Sequence, residues 1–326
     1  HFICQEPMKI IVLGAGSLGR SCSRFLKTCS NFDLVGFIDA DPDLQGAKVE
    51  GVEVLGPLSS FSDHKLLEMG VDLVVLCVKF DLKPDATARL LNMPLNGIEV
   101  LSKGAFFERY LQQEAIEYTN PHYLTSFPSQ PANEPLLALK RVGDLLGAGL
   151  GMLLTLWAWP LLALAIKLDS PGPVFYRQTR VGYRGRHFEI IKFRTMRQDA
   201  EKDGAQWATT ADRRVTRLGK IMRATRLDEL PQFLNVIRGE MSLVGPRPER
   251  PEFVEEFVGD IPFYERREMV PPGLTGWAQI KYRYGAGKED SARKLRYDLY
   301  YVRHLSPALD LQILIKTVCM VMKGSR

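Results

Sequence analysis

The sequence predicts an α/β chain in three parts: a parallel-sheet domain over residues 1–118, a linker over 119–137, and a mostly helical α+β domain over 138–326 that carries an apolar helical hairpin. Three observations predict it. Short β-branched runs alternate with helical patterns in the first part, as parallel strands joined by right-handed crossovers require. The stretch TNPHYLTSFPSQPANEP, from Thr119 to Pro135, breaks that rhythm with proline and polar residues. The 22 residues from Leu145 to Ile166 then hold no charge, which an amphipathic surface helix does not allow.

In the first part the expected strands are KIIVL (9–13), LVGFI (34–38), VDLVVLCV (71–78) and GIEVL (97–101), with helices near 17–28, 58–69 and 84–91. Gly14-Ala15-Gly16-Ser17-Leu18-Gly19 follows the first strand and opens the first helix, and Asp39 ends the second strand. Glycines there permit a tight turn and close approach of a pyrophosphate to a helix N-terminus, with the acid near a ribose. The turn marks a Rossmann-like domain, and Gly14, Gly16, Gly19 and Asp39 are its candidate cofactor-binding residues. A structural or regulatory use of the same turn stays open, since fold does not dictate function. The chain begins His1-Phe2-Ile3, shows no secretory leader pattern, and has its first Met at position 8, just before the first strand.

A straight helix over the uncharged segment would reach about 33 Å, enough to cross a bilayer core. It contains Trp159-Pro160, however, and proline removes a helix hydrogen bond and kinks the rod. Both flanks are basic, with Lys140 and Arg141 before it and Lys167, Arg177, Arg180, Arg184 and Arg186 after it. The positive-inside tendency places both ends on one side. A re-entrant membrane helix over about 142–167 is therefore expected, against the alternatives of a full span or a buried core helix.

Charge is unevenly spread: the overall +5 divides into −6 over residues 1–139 and +11 over 140–326. A basic second half suits phosphate-bearing ligands, an anionic membrane surface or nucleic acid. The five cysteines show no CxxC pairing and no zinc-like histidine spacing, so reduced, mostly buried thiols are expected. No internal repeat or low-complexity tract is present.

Three constellations in the second half can carry chemistry. In Leu227-Asp228-Glu229-Leu230-Pro231-Gln232, the proline belongs in a first helical turn, so both carboxylates are expected at or just before a helix start. There an acid stays ionised and phosphate is attracted, which suits a nucleophilic carboxylate. Simple capping is the competing reading, because Thr225 with Asp228 has capping-box spacing. In Val244-Gly245-Pro246-Arg247-Pro248-Glu249, prolines hold Arg247 for a two-pronged grip on phosphate, or merely present it in a surface turn. Lys192 lies in a FEIIKF strand, Arg194 follows it, and the two share one of its faces by alternation, where they could neutralise a diphosphate or simply face solvent. Arg213, Arg214, Arg217, Lys220, Arg223 and Arg226 extend the positive field.

These residues together resemble a known family. KRVGDLLGAGLGMLL, SPGPVFYRQTRVGYRGRHFEIIKFRTM, RVTRLGKIMRATRLDELPQFLNVIRGEMSLVGPRPE, PPGLTGWAQI and LRYDLYYVRHLSPALDL are similar to the bacterial sugar transferases, or monotopic phosphoglycosyl transferases, over nearly all of 138–326. The resemblance implies that Asp228 attacks the β-phosphate of a UDP-sugar, giving an aspartyl-phosphosugar intermediate and UMP. A polyprenyl phosphate, undecaprenyl phosphate in particular, then takes the phosphosugar, as the first membrane step of exopolysaccharide, capsule or O-antigen assembly. It implies Mg²⁺ held by Asp228 and Glu229, with Glu229 also a candidate for handling the acceptor. Lys192, Arg194, Arg217, Arg223 and Arg247 are the candidate substrate-binding residues.

The resemblance further implies a monotopic protein on the cytoplasmic face of the inner membrane in contact with its lipids, a homodimer, and no nucleic-acid partner. The first part, including GIEVLSKGAFFERYL, resembles the Rossmann-like domain of large members, which usually carry a transmembrane bundle ahead of it. The sequence contains no such bundle, which implies either a shorter arrangement or its removal. NAD(P) is not an expected cofactor. A membrane-tethered NAD(P)-dependent nucleotide-sugar oxidoreductase or epimerase is the rival reading, but the first 139 residues lack a Tyr-x-x-x-Lys pair, and Tyr284 and Lys288 enclose a glycine-rich stretch.

Overall fold

The computed structural model describes residues 6–78, 82–116, 134–198, 200, 212–282 and 287–323. The chain forms two compact units, His1–Ala115 and Ile116–Arg326. Most of the expected linker, 119–133, lies outside the described residues, whereas its last residues, 134–137, are already helical.

The first unit is built on a sheet of β1 (Met8–Leu13), β2 (Phe32–Ile38), β3 (Lys48–Val49), β4 (Val52–Gly56), β5 (Leu73–Leu76) and β6 (Glu99–Ser102), in the order β3-β4-β2-β1-β5-β6. Every pairing is parallel except β3 with β4. Ile10, Ile11 and Val12 of central β1 are fully buried, as an unbroken apolar run in a strand covered on both faces requires. Helices α1 (Ser17–Leu26), α2 (Asp63–Glu68), α3 (Pro84–Asn92) and α4 (Lys103–Phe106) alternate with the strands.

Two local results differ from the sequence expectation. The β3–β4 hairpin was not expected; Glu50 and Gly51 both take positive φ there, 52° and 73°, the two-residue turn that matches strand twist. The helix expected over 58–69 starts later, because Ser62 Oγ accepts from the Lys65 N–H at 3.2 Å and caps α2.

In the second unit, α5 (Glu134–Thr155) and α6 (Trp159–Asp169) are joined by a tight turn at Leu156–Ala158. Then come the antiparallel pair β7 (Phe175–Val181) and β8 (His187–Phe193), α7 (Arg217–Ala224), the turn Leu227–Glu229, α8 (Gln232–Arg238), β9 (Ser242–Val244) and α9 (Pro251–Asp260). Strand β10 (Gly273–Thr275) pairs parallel with β9, and α10 (Trp277–Lys281), α11 (Lys288–Arg303) and α12 (Pro307–Met322) complete the unit. Val244, Phe257, Trp277, Leu299, Tyr301 and Ile313 form its main core.

Glu134–Asp169 is long and apolar enough to cross a membrane, by length and composition, and of its apolar residues only Ala148 and Ile166 are buried; Leu153 is 74% and Trp157 73% accessible. The α-helical pattern breaks at 156–158, where a 3₁₀ turn bends it. Ala148 on α5 packs with Ile190, and Ile166 on α6 packs with Phe193. A straight helix would separate Ala148 and Ile166 by about 27 Å, yet their partners lie three residues, or about 10 Å, apart on β8. Only a bent element reaches both.

The base of the hairpin is tied to this unit by polar groups. Asp144 accepts from Ser242 Oγ and from the Leu243 N–H, both at 2.9 Å. Lys140 is buried and pairs with Asp310 at 2.7 Å, and Arg141 donates to the carbonyls of Val236 and Ile237 at the end of α8. These two cations, counted above in the basic flank, are internal anchors, because α8 and α12 offer them acceptors. Gly147 and Gly151 leave room for close contact; a Cβ there would stand 2.4 Å from Leu243 Cδ1 and 2.6 Å from Phe233 Cζ.

Candidate active site

The Leu227–Glu229 turn sits between α7 and α8, with Arg226 before it in the left-handed region at φ 59° and Pro231 at the N-terminal boundary of α8. Both carboxylates therefore lie just before a helix start, where the proline places them. Neither caps it: α8 has no side-chain cap, and Thr225 Oγ1 turns back to the carbonyls of Ile221 and Met222 at 2.9 and 3.2 Å. The capping-box reading is thereby excluded.

The two acids sit side by side, both buried, in opposite electrostatic settings. Glu229 meets three cations at 3.4 Å: Lys192 Nζ and Arg247 Nη2 on Oε1, and Arg226 Nη1 on Oε2. Burial alone would raise its carboxyl, but Lys192, Arg247 and Arg226 outweigh burial and hold it down at about 2. Asp228 Oδ1 is buried with no hydrogen-bond partner among the described residues. Burial, and then the charge of Glu229, push the Asp228 carboxyl up, with Lys192, Arg223 and Arg247 pulling the other way. An unmet buried acceptor costs about 1–3 kcal/mol, and such a cost held in place marks a group kept ready for another partner.

The expected phosphate-binding residues divide. Lys192, paired with Tyr176 across the β7–β8 ladder, reaches Glu229, and burial lowers its ammonium. Arg223 donates to Thr195 Oγ1 at 2.9 Å and acts electrostatically on Asp228. Arg247 joins the cluster from its proline-flanked loop. Arg194 is not brought to Glu229 with Lys192: just beyond β8, its guanidinium donates to the carbonyls of Pro171 at 2.6 Å, Ser170 at 2.7 Å and Ile166 at 3.5 Å. It satisfies the Ile166 carbonyl in the last turn of α6 and two carbonyls just past its end. Arg217 opens α7 as an exposed residue and makes no ion pair with either site carboxylate among the described residues.

Sequence reasoning missed the residues behind the Arg247 loop. Arg267, buried, donates to the Arg247 carbonyl at 2.7 Å, to Asp298 at 2.9 Å and to Tyr264 Oη at 2.8 Å. Burial pushes Asp298 up to about 6 even against the pull of Arg267. Arg180 donates to the Pro248 carbonyl at 3.1 Å. Arg267 and Asp298 are 31 positions apart, so no local spacing signals them; only the YDLYY stretch, with its polar residue in an apolar helix face, hints at one.

The donor set suits a hard cation in part. Asp228 offers one unmet buried oxygen, whereas both Glu229 oxygens already face cations. Mg²⁺ commonly takes one or two carboxylates and completes its shell with substrate phosphates and water, which this pair can supply.

In the first unit, a Cβ on Gly19 would stand 1.8 Å from the Gly14 carbonyl oxygen, and Gly14 holds φ 104°, so both glycines are demanded by the turn itself. Asp39 is engaged within the turn, accepting from the Ala15 N–H at 2.7 Å and the Asp41 N–H at 3.0 Å. Gly16 faces open space. Tyr284 lies outside the described residues, and Lys288 pairs with Asp260 at 2.8 Å.

The model of the bacterial sugar transferase family matches residues 136–324. A UDP-N-acetylgalactosamine-undecaprenyl-phosphate N-acetylgalactosaminephosphotransferase of Aeromonas hydrophila is 47% identical over 186 residues, 57% of this chain and 44% of that protein. An undecaprenyl-phosphate glucose phosphotransferase of Komagataeibacter xylinus is 34% identical over 95% of this chain and 58% of its own. A putative undecaprenyl-phosphate N-acetylgalactosaminyl 1-phosphate transferase of Bacillus subtilis is 44% identical over 51% of this chain and 89% of its own. The chain thus spans about half the length of the first two relatives.

Proposed function

The chain belongs to the bacterial sugar transferase family, and on that footing we propose that it moves a sugar 1-phosphate from a UDP-sugar to undecaprenyl phosphate through a covalent intermediate on Asp228. The relatives, named as phosphotransferases of glucose and of N-acetylgalactosamine, favour this over an oxidoreductase. The observation that carries the mechanism is the unmet, buried Asp228 Oδ1 beside a Glu229 held ionised by three cations.

In this reading Lys192, Arg247 and Arg226 hold the site ready for a diphosphate and offset its repulsion of the nucleophile. Asp228 Oδ1 attacks the β-phosphorus, and the bond from that phosphorus to the bridging oxygen breaks, so UMP leaves with the electron pair. An undecaprenyl phosphate oxygen then attacks the same phosphorus and the Asp228 carboxylate departs. Bound Mg²⁺ would neutralise diphosphate charge, held by Asp228 and by Glu229 once substrate phosphate competes for its cations. The bent Glu134–Asp169 segment would enter one leaflet from the cytoplasmic face and bring the lipid phosphate to this unit. The first unit is read as a Rossmann-like domain whose glycine turn serves structure.

The test is product identity. Solubilised protein with UDP-sugar, undecaprenyl phosphate and Mg²⁺ is expected to release UMP; release of UDP in its place would overturn the covalent phosphosugar mechanism.

A further inference from the structure

The backbone is helical without interruption from Leu227 to Arg238: Leu230 and Pro231, between the turn and α8, both take right-handed helical angles. Asp228, Gln232 and Asn235, four and three residues apart, therefore share one face of that run. Asn235 shows where the face looks, since it accepts from the Ile191 N–H at 3.0 Å and donates to the Glu189 carbonyl at 2.7 Å, both on β8. Gln232 lies one turn nearer to Asp228, only 2% accessible, and its Nε2 has no hydrogen-bond partner among the described residues. One face thus presents a buried donor and a buried acceptor, Gln232 Nε2 and Asp228 Oδ1, both unmet and not bonded to each other. An apolar side chain of similar length would fill the Gln232 position without an unmet group.

We propose that Gln232 is a catalytic residue whose amide N–H donates to a nonbridging oxygen of the phosphoryl group as it passes to and from Asp228. This inference rests on the transferase reading above. The donor moves no proton; it meets charge that accumulates on the phosphoryl oxygens while the phosphorus is bonded in transit. A third group that is electrophilic at its centre and an acceptor at its edge satisfies both orphan atoms at once, and a phosphoryl group is such a group.

The experiment is single-turnover labelling of the solubilised full chain with β-radiolabelled UDP-glucose or UDP-N-acetylgalactosamine, whichever the wild type accepts. Gln232→Met is expected to slow protein labelling about a hundredfold, the usual cost of one such donor. UDP-sugar affinity should stay nearly unchanged and thermal stability unchanged or raised. Gln232→Glu, almost the same shape, should label more slowly still, because it turns an acceptor towards phosphate oxygens. Wild-type labelling rates in Gln232→Met would overturn the assignment, as would a fall in labelling matched by an equal fall in affinity and melting temperature. Failure of the wild type to retain label on Asp228 would instead overturn the transferase mechanism, whatever the Gln232 variants do.

Discussion

Substituting the two neighbouring acids by their amides should move stability in opposite directions. Glu229, held at about 2 by Lys192, Arg247 and Arg226, contributes roughly 3 kcal/mol at neutral pH. Glu229→Gln removes that and leaves Lys192 buried without its partner, so the fold should lose about 3 kcal/mol, or roughly 6–12 °C in melting temperature for a unit of this size. Asp228 is raised by burial and by Glu229, so its ionised carboxylate is a burden on the folded state. Asp228→Asn should therefore stabilise by about 1–2 kcal/mol while abolishing UMP release. The pH dependence follows with opposite signs. The Glu229 contribution is complete above the ordinary carboxylate range and is lost as pH falls towards 2, so the Glu229→Gln penalty shrinks with acidification. The Asp228 burden is complete at neutral pH and is relieved as the group protonates, so the Asp228→Asn gain shrinks too. Calorimetry of both variants from neutral pH down through the ordinary carboxylate range measures this; shifts of the same sign at neutral pH would refute the electrostatic account.

Arg194→Gln should cost about 2–3 kcal/mol, because the carbonyls just past the end of α6 lose a charged donor, with UDP-sugar affinity nearly intact; a calorimetric titration showing lost affinity would return Arg194 to the phosphate site. Asn235→Ala strands the Ile191 N–H and the Glu189 carbonyl, and chemical denaturation should show a loss of about 2–4 kcal/mol. Gly151→Leu drives a side chain into Phe233 and should destabilise by about 1–3 kcal/mol in a thermal melt. Leu153→Lys puts a charge on the exposed apolar face of the hairpin and should weaken vesicle binding by about 2–3 kcal/mol in a flotation assay; unaltered binding would argue that this face does not enter lipid.

The alternation of β-branched runs with helical stretches made β1, β2, β5 and β6 legible in sequence, because burial on both faces demands unbroken apolar residues. The uncharged run from Leu145 to Ile166 with Pro160 announced a bent apolar element for an equally local reason, and Pro231 located the two acids before α8. Such properties are carried by each segment's own backbone and solvation. Which cation serves which acceptor is different, since it depends on where separate segments meet. Lys192 and Arg194, two residues apart, part company because one meets Glu229 and the other the carbonyls of Ser170 and Pro171, and Lys140 and Arg141 become internal anchors because α12 and α8 lie beside them. Arg267 came to light only through its distant partners. Asp228 and Glu229 look alike in a string of letters; the three cations that converge on one, and the absence of a hydrogen-bond partner among the described residues for an oxygen of the other, are decided by tertiary packing alone, because charge interactions act through space rather than along the chain.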